Sequence, residues 1–333
     1  MPPRTYSIIA ILLSMLVAAS PAMAACSGPS LFESLPIATG HDAGEFALGD
    51  LDKDGEMDLV TVAFATNNIN VRLGLGSGTF AAPVSYTAPS PQQVALGDVN
   101  KDTFLDIIVS NEPGTEAVCI SFGSCAGFSV LLNDGDGTFG TATTVAVPFA
   151  AGVVSVDFGD FSDDGNPDVL IAGPGLAGTD PQIHVMFGNG SGTSFPTRRA
   201  WTVDGTVYDA IAAKLDGPSG VPAVVAVVGP GSSSTFTRVN AYQSQSGAFP
   251  GVTATRNVFS GSVQNAFLTT GDFDRNGNLD VAVGHADAPS EFGANIVLAN
   301  GSTSFPTSSS LTKVFPGAPL TDIPPGDYDE DGD

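Results

Sequence analysis

Basic residues are scarce in this chain. Only 11 Lys and Arg stand against 35 Asp and Glu, giving a formal net charge of −24 over 333 residues. Nucleic acid and anionic lipid are bound by Lys and Arg that displace counterions, so both are excluded as partners. Aromatic platforms are also few. Trp201 is the sole Trp and there are five Tyr, which weighs against a lectin that stacks sugars on exposed rings. Three histidines, His41, His184 and His285, sit in no catalytic motif, and neither HExxH nor GxSxG occurs. The longest apolar run, residues 8–19, is 12 residues long, short of the roughly 20 that a membrane-spanning helix needs. No window beyond it sustains a helical period. What remains is a turn-rich chain, with 40 Gly, 24 Pro and a hydrophobic content of 42%, enough for a packed core.

The N-terminus carries Arg4, then the apolar run, then small residues ending in Ala22-Met23-Ala24-Ala25-Cys26. This pattern predicts a signal peptide over 1–24, a short linker over 25–30 and an exported mature chain, secreted or displayed at the cell surface. Two processing routes fit: cleavage after an A-x-A site, or a lipobox in which Cys26 becomes a lipid anchor. Cys119 and Cys125, six residues apart, suit a local disulfide in an exported chain, which leaves Cys26 odd.

The acids are organised. GDLDKDGEMDLV (49–60) aligns with GDVNKDTFLDII (97–108), GDFSDDGNPDVL (159–170), GDFDRNGNLDVA (271–282) and the C-terminal GDYDEDGD (326–333). A degenerate copy, AKLDGPSGVPAVV (213–225), has Lys214 in place of the first Asp. First-position spacings of 48, 62, 54, 58 and 55 suit a four-stranded propeller blade. A second signal lies between the acidic copies: LGSGTF (75–80), NDGDGTF (133–139), GNGSGTSF (188–195), ANGSTSF (299–305) and, as a relic in the degenerate repeat, SQSGAF (244–249). Such glycine turns between apolar runs are hairpin signals. Each repeat therefore reads as four strands, exemplified by 46–48, 58–64, 69–75 and 80–86. The expectation is an all-β propeller over 31–333, with five blades and a partial sixth. Residues 31–40 read as a fourth strand and the last copy stops at its seventh position, so a fragment of a six- or seven-bladed ring is expected.

Numbering the first Asp as 1, oxygen ligands fall at 1, 3, 5 and 9, with a backbone carbonyl at 7. Asp50, Asp52, Asp54, Glu56 and Asp58 fill the first loop, and Gly55 at position 6 permits the sharp turn. Asp98, Asn100, Asp102, Phe104 and Asp106 fill the second, where Thr103 replaces the glycine and a weaker site is expected. Asp160, Ser162, Asp164, Asn166 and Asp168 follow, then Asp272, Asp274, Asn276, Asn278 and Asp280, and finally Asp327, Asp329, Asp331 and Asp333. All-oxygen, carboxylate-rich coordination on a flexible loop is what Ca²⁺ prefers, and no imidazole or thiolate offers itself to zinc or copper. The loop begins like an EF-hand, but position 12 is Thr61, Val109, Ile171 or Val283 in a β-branched run, not a bidentate Glu between helices. Lys214 and Pro222 should leave the degenerate loop empty. Five bound ions would move the charge from −24 by +10, to −14.

GDxDxDGxxD together with the LGxGxGTF-like turn resembles the FG-GAP/VCBS family, the calcium-binding repeats of integrin α-chain propellers and bacterial secreted proteins. The resemblance covers residue 31 to the end. It implies a β-propeller with calcium in loops between the first two strands of a blade, and it identifies a scaffold rather than an activity.

Three function classes meet on this scaffold. The first is a non-catalytic exported binding or adhesion module, monomeric, with structural calcium and an extracellular protein or glycan partner. The second is a hydrolase or lyase acting on polysaccharide or lipid, since a carboxylate pair needs no local motif. The third is a lectin-like carbohydrate binder. The residues favour the first. Arg198-Arg199 before Trp201 is the lone basic pair and reads as a surface hairpin, and the phenylalanines of the glycine turns read as packing between blades.

Overall fold

The computed structural model describes residues 45–112, 127–147, 153–173, 182–215, 220–245, 247–249, 251–260, 265–273, 278–287 and 291–297. The processing signals, the 31–40 strand, Cys26, Cys119, Cys125, His41, the 299–305 turn and the 326–333 copy all lie outside the described residues.

Alternating and β-branched runs between glycine turns form short antiparallel strands. Blade 1 comprises β1 (Phe46–Gly49), β2 (Asp58–Ala63), β3 (Asn68–Arg72) and β4 (Val84–Thr87). Blade 2 comprises β5 (Pro91–Gly97), β6 (Asp106–Asn111), β7 (Gly127–Leu131) and β8 (Thr143–Ala146). Blade 3 comprises β9 (Ser155–Gly159), β10 (Asp168–Ala172), β11 (Ile183–Phe187) and β12 (Thr197–Trp201). Blade 4 comprises β13 (Val207–Ala213), β14 (Ala223–Val228), β15 (Phe236–Gln243) and β16 (Ala254–Ser260). The fifth sheet has three described strands, β17 (Asn265–Gly271), β18 (Asp280–Asp287) and β19 (Glu291–Val297). Spatial order follows chain order in every sheet, so each is an antiparallel meander. The first strands, β1, β5, β9, β13 and β17, lie successively against one another. That is the arrangement of propeller blades with the first strand innermost.

The expected strands are found, with two shifts at their ends. The third strand of blade 1 stops at Arg72, and the fourth begins at Val84 rather than at residue 80. Phe80 instead makes an isolated bridge to Gly74, which closes the glycine turn before strand pairing resumes.

Burial follows position in the blade. The second strands, DLVTVA, DIIVSN, DVLIA and AVVAVV, are buried throughout, and β6, β10 and β14 each place alternate residues in two successive interblade clusters. The outer strands β4 and β12 are largely exposed, Arg198 and Arg199 included. Four apolar clusters each join one blade to the next, for example Val60, Val62 and Ile69 with Ile107 and Val109. Three of the turn phenylalanines, Phe139, Phe195 and Phe249, belong to these interfaces, as expected. Phe139 meets Tyr86 edge-on at 5.5 Å, Phe195 meets Phe128 at 5.0 Å, and Phe249 stacks on Trp201 at 4.7 Å. Each ring pair spans two blades and adds about 1 kcal/mol to its area burial.

Inner strands approach closely where the repeat places a small residue before its first Asp. A Cβ on Gly97 would lie 2.1 Å from the Phe158 ring of the next blade. Polar stitches reinforce this line. Ala212 donates its N–H to Asp157 Oδ2 at 2.7 Å, Leu268 donates to Asp209 Oδ2 at 2.7 Å, and the Ala210 N–H reaches Ser155 Oγ at 3.1 Å.

Candidate functional site

Among the described residues, the loops that carry the acidic repeats join the first two strands of a blade, so they lie at one end of the fold. Loops 1, 2 and 3 (50–58, 98–106 and 160–168) share one hydrogen-bond plan. The ninth-position Asp is fully buried in each: Asp58, Asp106 and Asp168 have no exposed surface. One carboxylate oxygen accepts the N–H at position 2, from Leu51 at 2.6 Å, Val99 at 2.9 Å and Phe161 at 2.9 Å. The other accepts the N–H just beyond the third strand, from Gly74 at 2.7 Å, Asn133 at 2.9 Å and Gly188 at 2.9 Å. This Asp is thus a structural tie as well as a candidate ligand. Burial pushes the Asp106 and Asp168 carboxyls up to about 6, against the pull of these backbone amides.

The first-position Asp arranges the turn. Asp50 accepts the Asp54 and Gly55 N–H groups, Asp98 those of Asp102 and Thr103, and Asp160 those of Asp164 and Gly165, all at 2.8–3.1 Å. The fifth-position Asp caps position 7: Asp54 accepts from Glu56, Asp102 from Phe104 and Asp164 from Asn166. Positions 4 and 6 take left-handed backbone in each loop: Lys53 and Gly55, Lys101 and Thr103, Asp163 and Gly165. Thr103, at φ 79°, follows the glycine path at a steric cost.

Loop 1 brings oxygens of Asp50, Asp52 and Asp58 within 4.8 Å of one another, while Asp54 and Glu56 stand outside that group and are exposed. Asp52 has a raised carboxyl pKa. Loss of water is the chief cause, and the charges of Asp54, Asp58 and Asp50 add to it against the Asp54 amide. Three converging carboxylates, with Asp52 held against ionisation among them, are a donor set that fits a hard divalent ion. In loops 2 and 3, Asn100 and Ser162 stand at the position of Asp52, which lowers the charge of those sets. In the fifth sheet Asp280 is buried and accepts the Phe273 N–H at 2.9 Å, repeating the tie. Asp272 and Asn278 are described, whereas Asp274 and Asn276, like Asp327, Asp329, Asp331 and Asp333, lie outside the described residues. In the degenerate loop Lys214 is exposed and Pro222 is buried, within reach of a Cβ placed on Gly159 at 3.2 Å.

Two further contributors were not read from the sequence. The first is the apolar residue at position 2. Leu51, Val99, Phe161 and Leu215 are at most 1% exposed and anchor the loop in the interblade core, each contributing about 2 kcal/mol by burial. The signal was present, since position 2 is apolar or aromatic in every copy. The second is the glycine turn, which lies between two loops. Its first glycine faces position 7 of its own loop: a Cβ on Gly76, Gly135 or Gly190 would lie 2.6–3.3 Å from Glu56, Phe104 or Asn166. Its last glycine faces position 3 of the preceding loop, where a Cβ on Gly137, Gly192 or Gly247 would lie 3.2–3.7 Å from that of Asp52, Asn100 or Ser162. Asn133 also donates to Leu51 O at 2.8 Å, and Ser244 Oγ donates to Phe161 O. The SQSGAF stretch is therefore not a relic. It belongs to a blade with a degraded loop, yet it supports loop 3 of the blade before it.

A family model described as an FG-GAP-like repeat matches residues 50–109 and 115–171. The chain carries FG-GAP-like repeats. The two matches take in loops 1, 2 and 3 and the strands that follow them. No curated protein matches the chain. Among solved structures, the V. cholerae biofilm matrix protein Bap1 is similar at 19% identity, with 67% of this chain and 30% of that one covered and a TM-score of 0.39. BBS1N, solved in complex with ARL6DN and soaked with mercury, is similar at 12% identity, with 76% and 64% covered and a TM-score of 0.45. This chain thus spans less than two thirds of the length of either. No helix among the described residues is long and apolar enough to cross a membrane.

Proposed function

We propose that these FG-GAP-like repeats form an exported calcium-binding propeller that serves as a non-catalytic binding or adhesion module for an extracellular protein or glycan. The supporting observation is the convergence of Asp50, Asp52 and Asp58 oxygens within 4.8 Å, on a backbone plan that loops 2 and 3 repeat. Ca²⁺ suits such loops because it accepts many oxygen ligands at flexible geometry, where Mg²⁺ demands a stricter octahedron. The metal's role is structural: it neutralises carboxylates that otherwise repel and fixes a nine-residue turn. Extracellular modules bind Ca²⁺ with Kd of roughly 10⁻⁴ to 10⁻³ M, so each filled site at 10 mM stabilises the fold by about 1–3 kcal/mol.

The test is calorimetric unfolding of the mature chain in 10 mM Ca²⁺, in 10 mM Mg²⁺ and in chelator. Ca²⁺ should raise the melting temperature by several degrees and Mg²⁺ by much less. Asp50→Ala and Asp160→Ala should each remove part of the rise. A melting temperature identical in Ca²⁺ and chelator would reject the metal and leave the loops as hydrogen-bonded turns.

A further inference from the structure

Of the four lysines in this acid-rich chain, Lys53 and Lys101 fall within acidic loops and Lys214 opens the degenerate one. Lys53 and Lys101 occupy position 4 with left-handed backbone, φ 61° and 68°. Neither ammonium pairs with a carboxylate of its own loop. Each crosses to the next blade instead. Lys53 Nζ donates to Thr103 Oγ1 and lies 3.9 Å from the centroid of the Phe104 ring, at positions 6 and 7 of loop 2. Lys101 Nζ donates to Asn166 Oδ1 at 3.4 Å, position 7 of loop 3, and comes within 4.0 Å of where a Gly165 Cβ would lie.

The sequence carries an independent counterpart. Charge at position 4 of one loop opposes charge at position 1 of the next: Lys53 with Asp98, Lys101 with Asp160, and Arg275 with Asp327. Where the order inverts, both members invert, since Asp163 precedes Lys214. The exception is Gly217 before Asp272. An exposed position-4 side chain with no partner would have no reason to change sign with its neighbour.

We propose that Lys53 and Lys101 are tethered counter-cations, each partly neutralising the acidic loop of the following blade while no metal is bound there and opposing the metal when it binds. The inference rests on the calcium reading above and extends it to regulation of the same sites. A positive charge held at the rim of a carboxylate cluster stabilises the empty loop and subtracts from the affinity for a divalent ion. At surface dielectric and physiological salt this amounts to roughly threefold to tenfold in affinity.

The experiment uses the full chain with Lys53→Met, Lys101→Met and the charge-keeping Lys53→Arg and Lys101→Arg. Thermal unfolding in chelator and Ca²⁺ titration are recorded for each. The Met variants should melt lower than wild type in chelator, show a larger Ca²⁺-induced rise and reach half-saturation at threefold to tenfold lower Ca²⁺. The Arg variants should follow wild type in all three. Met variants that melt lower by the same amount with and without Ca²⁺, or that bind Ca²⁺ more weakly, would overturn the counter-cation role while leaving the calcium sites standing. A wild-type chain indifferent to Ca²⁺ would remove both readings.

Discussion

Replacing Thr103 by glycine should stabilise the protein. Thr103 stands at position 6 of loop 2 with φ 79°, where Gly55 and Gly165 stand at 92° and 80° in loops 1 and 3. A side chain with a Cβ in left-handed backbone costs about 1–2 kcal/mol, and a β-branched residue lies at the upper end of that range. Glycine relieves this cost but gives the unfolded chain more freedom, which offsets about 0.4–1 kcal/mol. The substitution also removes the acceptor of the exposed Lys53 bond, a loss of about 0.5 kcal/mol. The net is a gain of about 0.5 kcal/mol, or roughly 1–2 °C in melting temperature for a domain of this size. Scanning calorimetry in chelator measures it without metal binding. Gly55→Thr and Gly165→Thr reverse the change and should each cost about 1 kcal/mol or more. A Thr103→Gly chain less stable than wild type, beside a harmless Gly165→Thr, would refute the reasoning from backbone strain.

Asp157 and Asp209 give a pH signature. Burial pushes both carboxyls up to about 6, against the amides of Ala212 and Phe158 and of Leu268 and Ala210, and the Asp157 charge adds to the effect on Asp209. Each folded value lies above the unfolded one near 3.9. The stability they confer is therefore present in full below about pH 4 and is lost as pH rises through about 6, at roughly 3 kcal/mol each. In chelator, the Asp157→Asn/Asp209→Asn chain should lose less stability than wild type between pH 5 and pH 7, and equal slopes would contradict this. Gly97→Ala places a methyl 2.1 Å from the Phe158 ring and should cost about 2–3 kcal/mol. Adding Phe158→Leu should recover part of that, measured as a non-additive double-mutant cycle in urea. Phe249→Ala removes the ring stacked on Trp201 and should cost about 3 kcal/mol. Because Trp201 is the sole Trp, its fluorescence should shift to the red in that variant and should follow the blade 3–4 interface in unfolding.

The fold and the loops were legible in the sequence because a propeller repeats a local rule. Alternation within short runs, a glycine turn and nine-residue acidic loops are all encoded by neighbours in the chain, so Phe46–Gly49 and Asp58–Ala63 could be placed around a loop without knowing what packs on them. The convergence of acids was also local: Asp50, Asp52 and Asp58 lie within nine positions. Tertiary structure alone decided how one blade serves the next. The SQSGAF turn looks idle beside its own degraded loop, and its use is seen only when Ser244 and Gly247 meet Phe161 and Ser162 across 83 and 85 residues of chain. The same holds for the amides of Ala212 and Leu268 that meet Asp157 and Asp209, and for the reach of Lys53 to Thr103. Sequence periodicity fixes what each blade contains. Contacts between blades depend on the stagger of successive sheets, which no local pattern expresses, because loop n and turn n+1 become one unit only when the inner strands pack side by side.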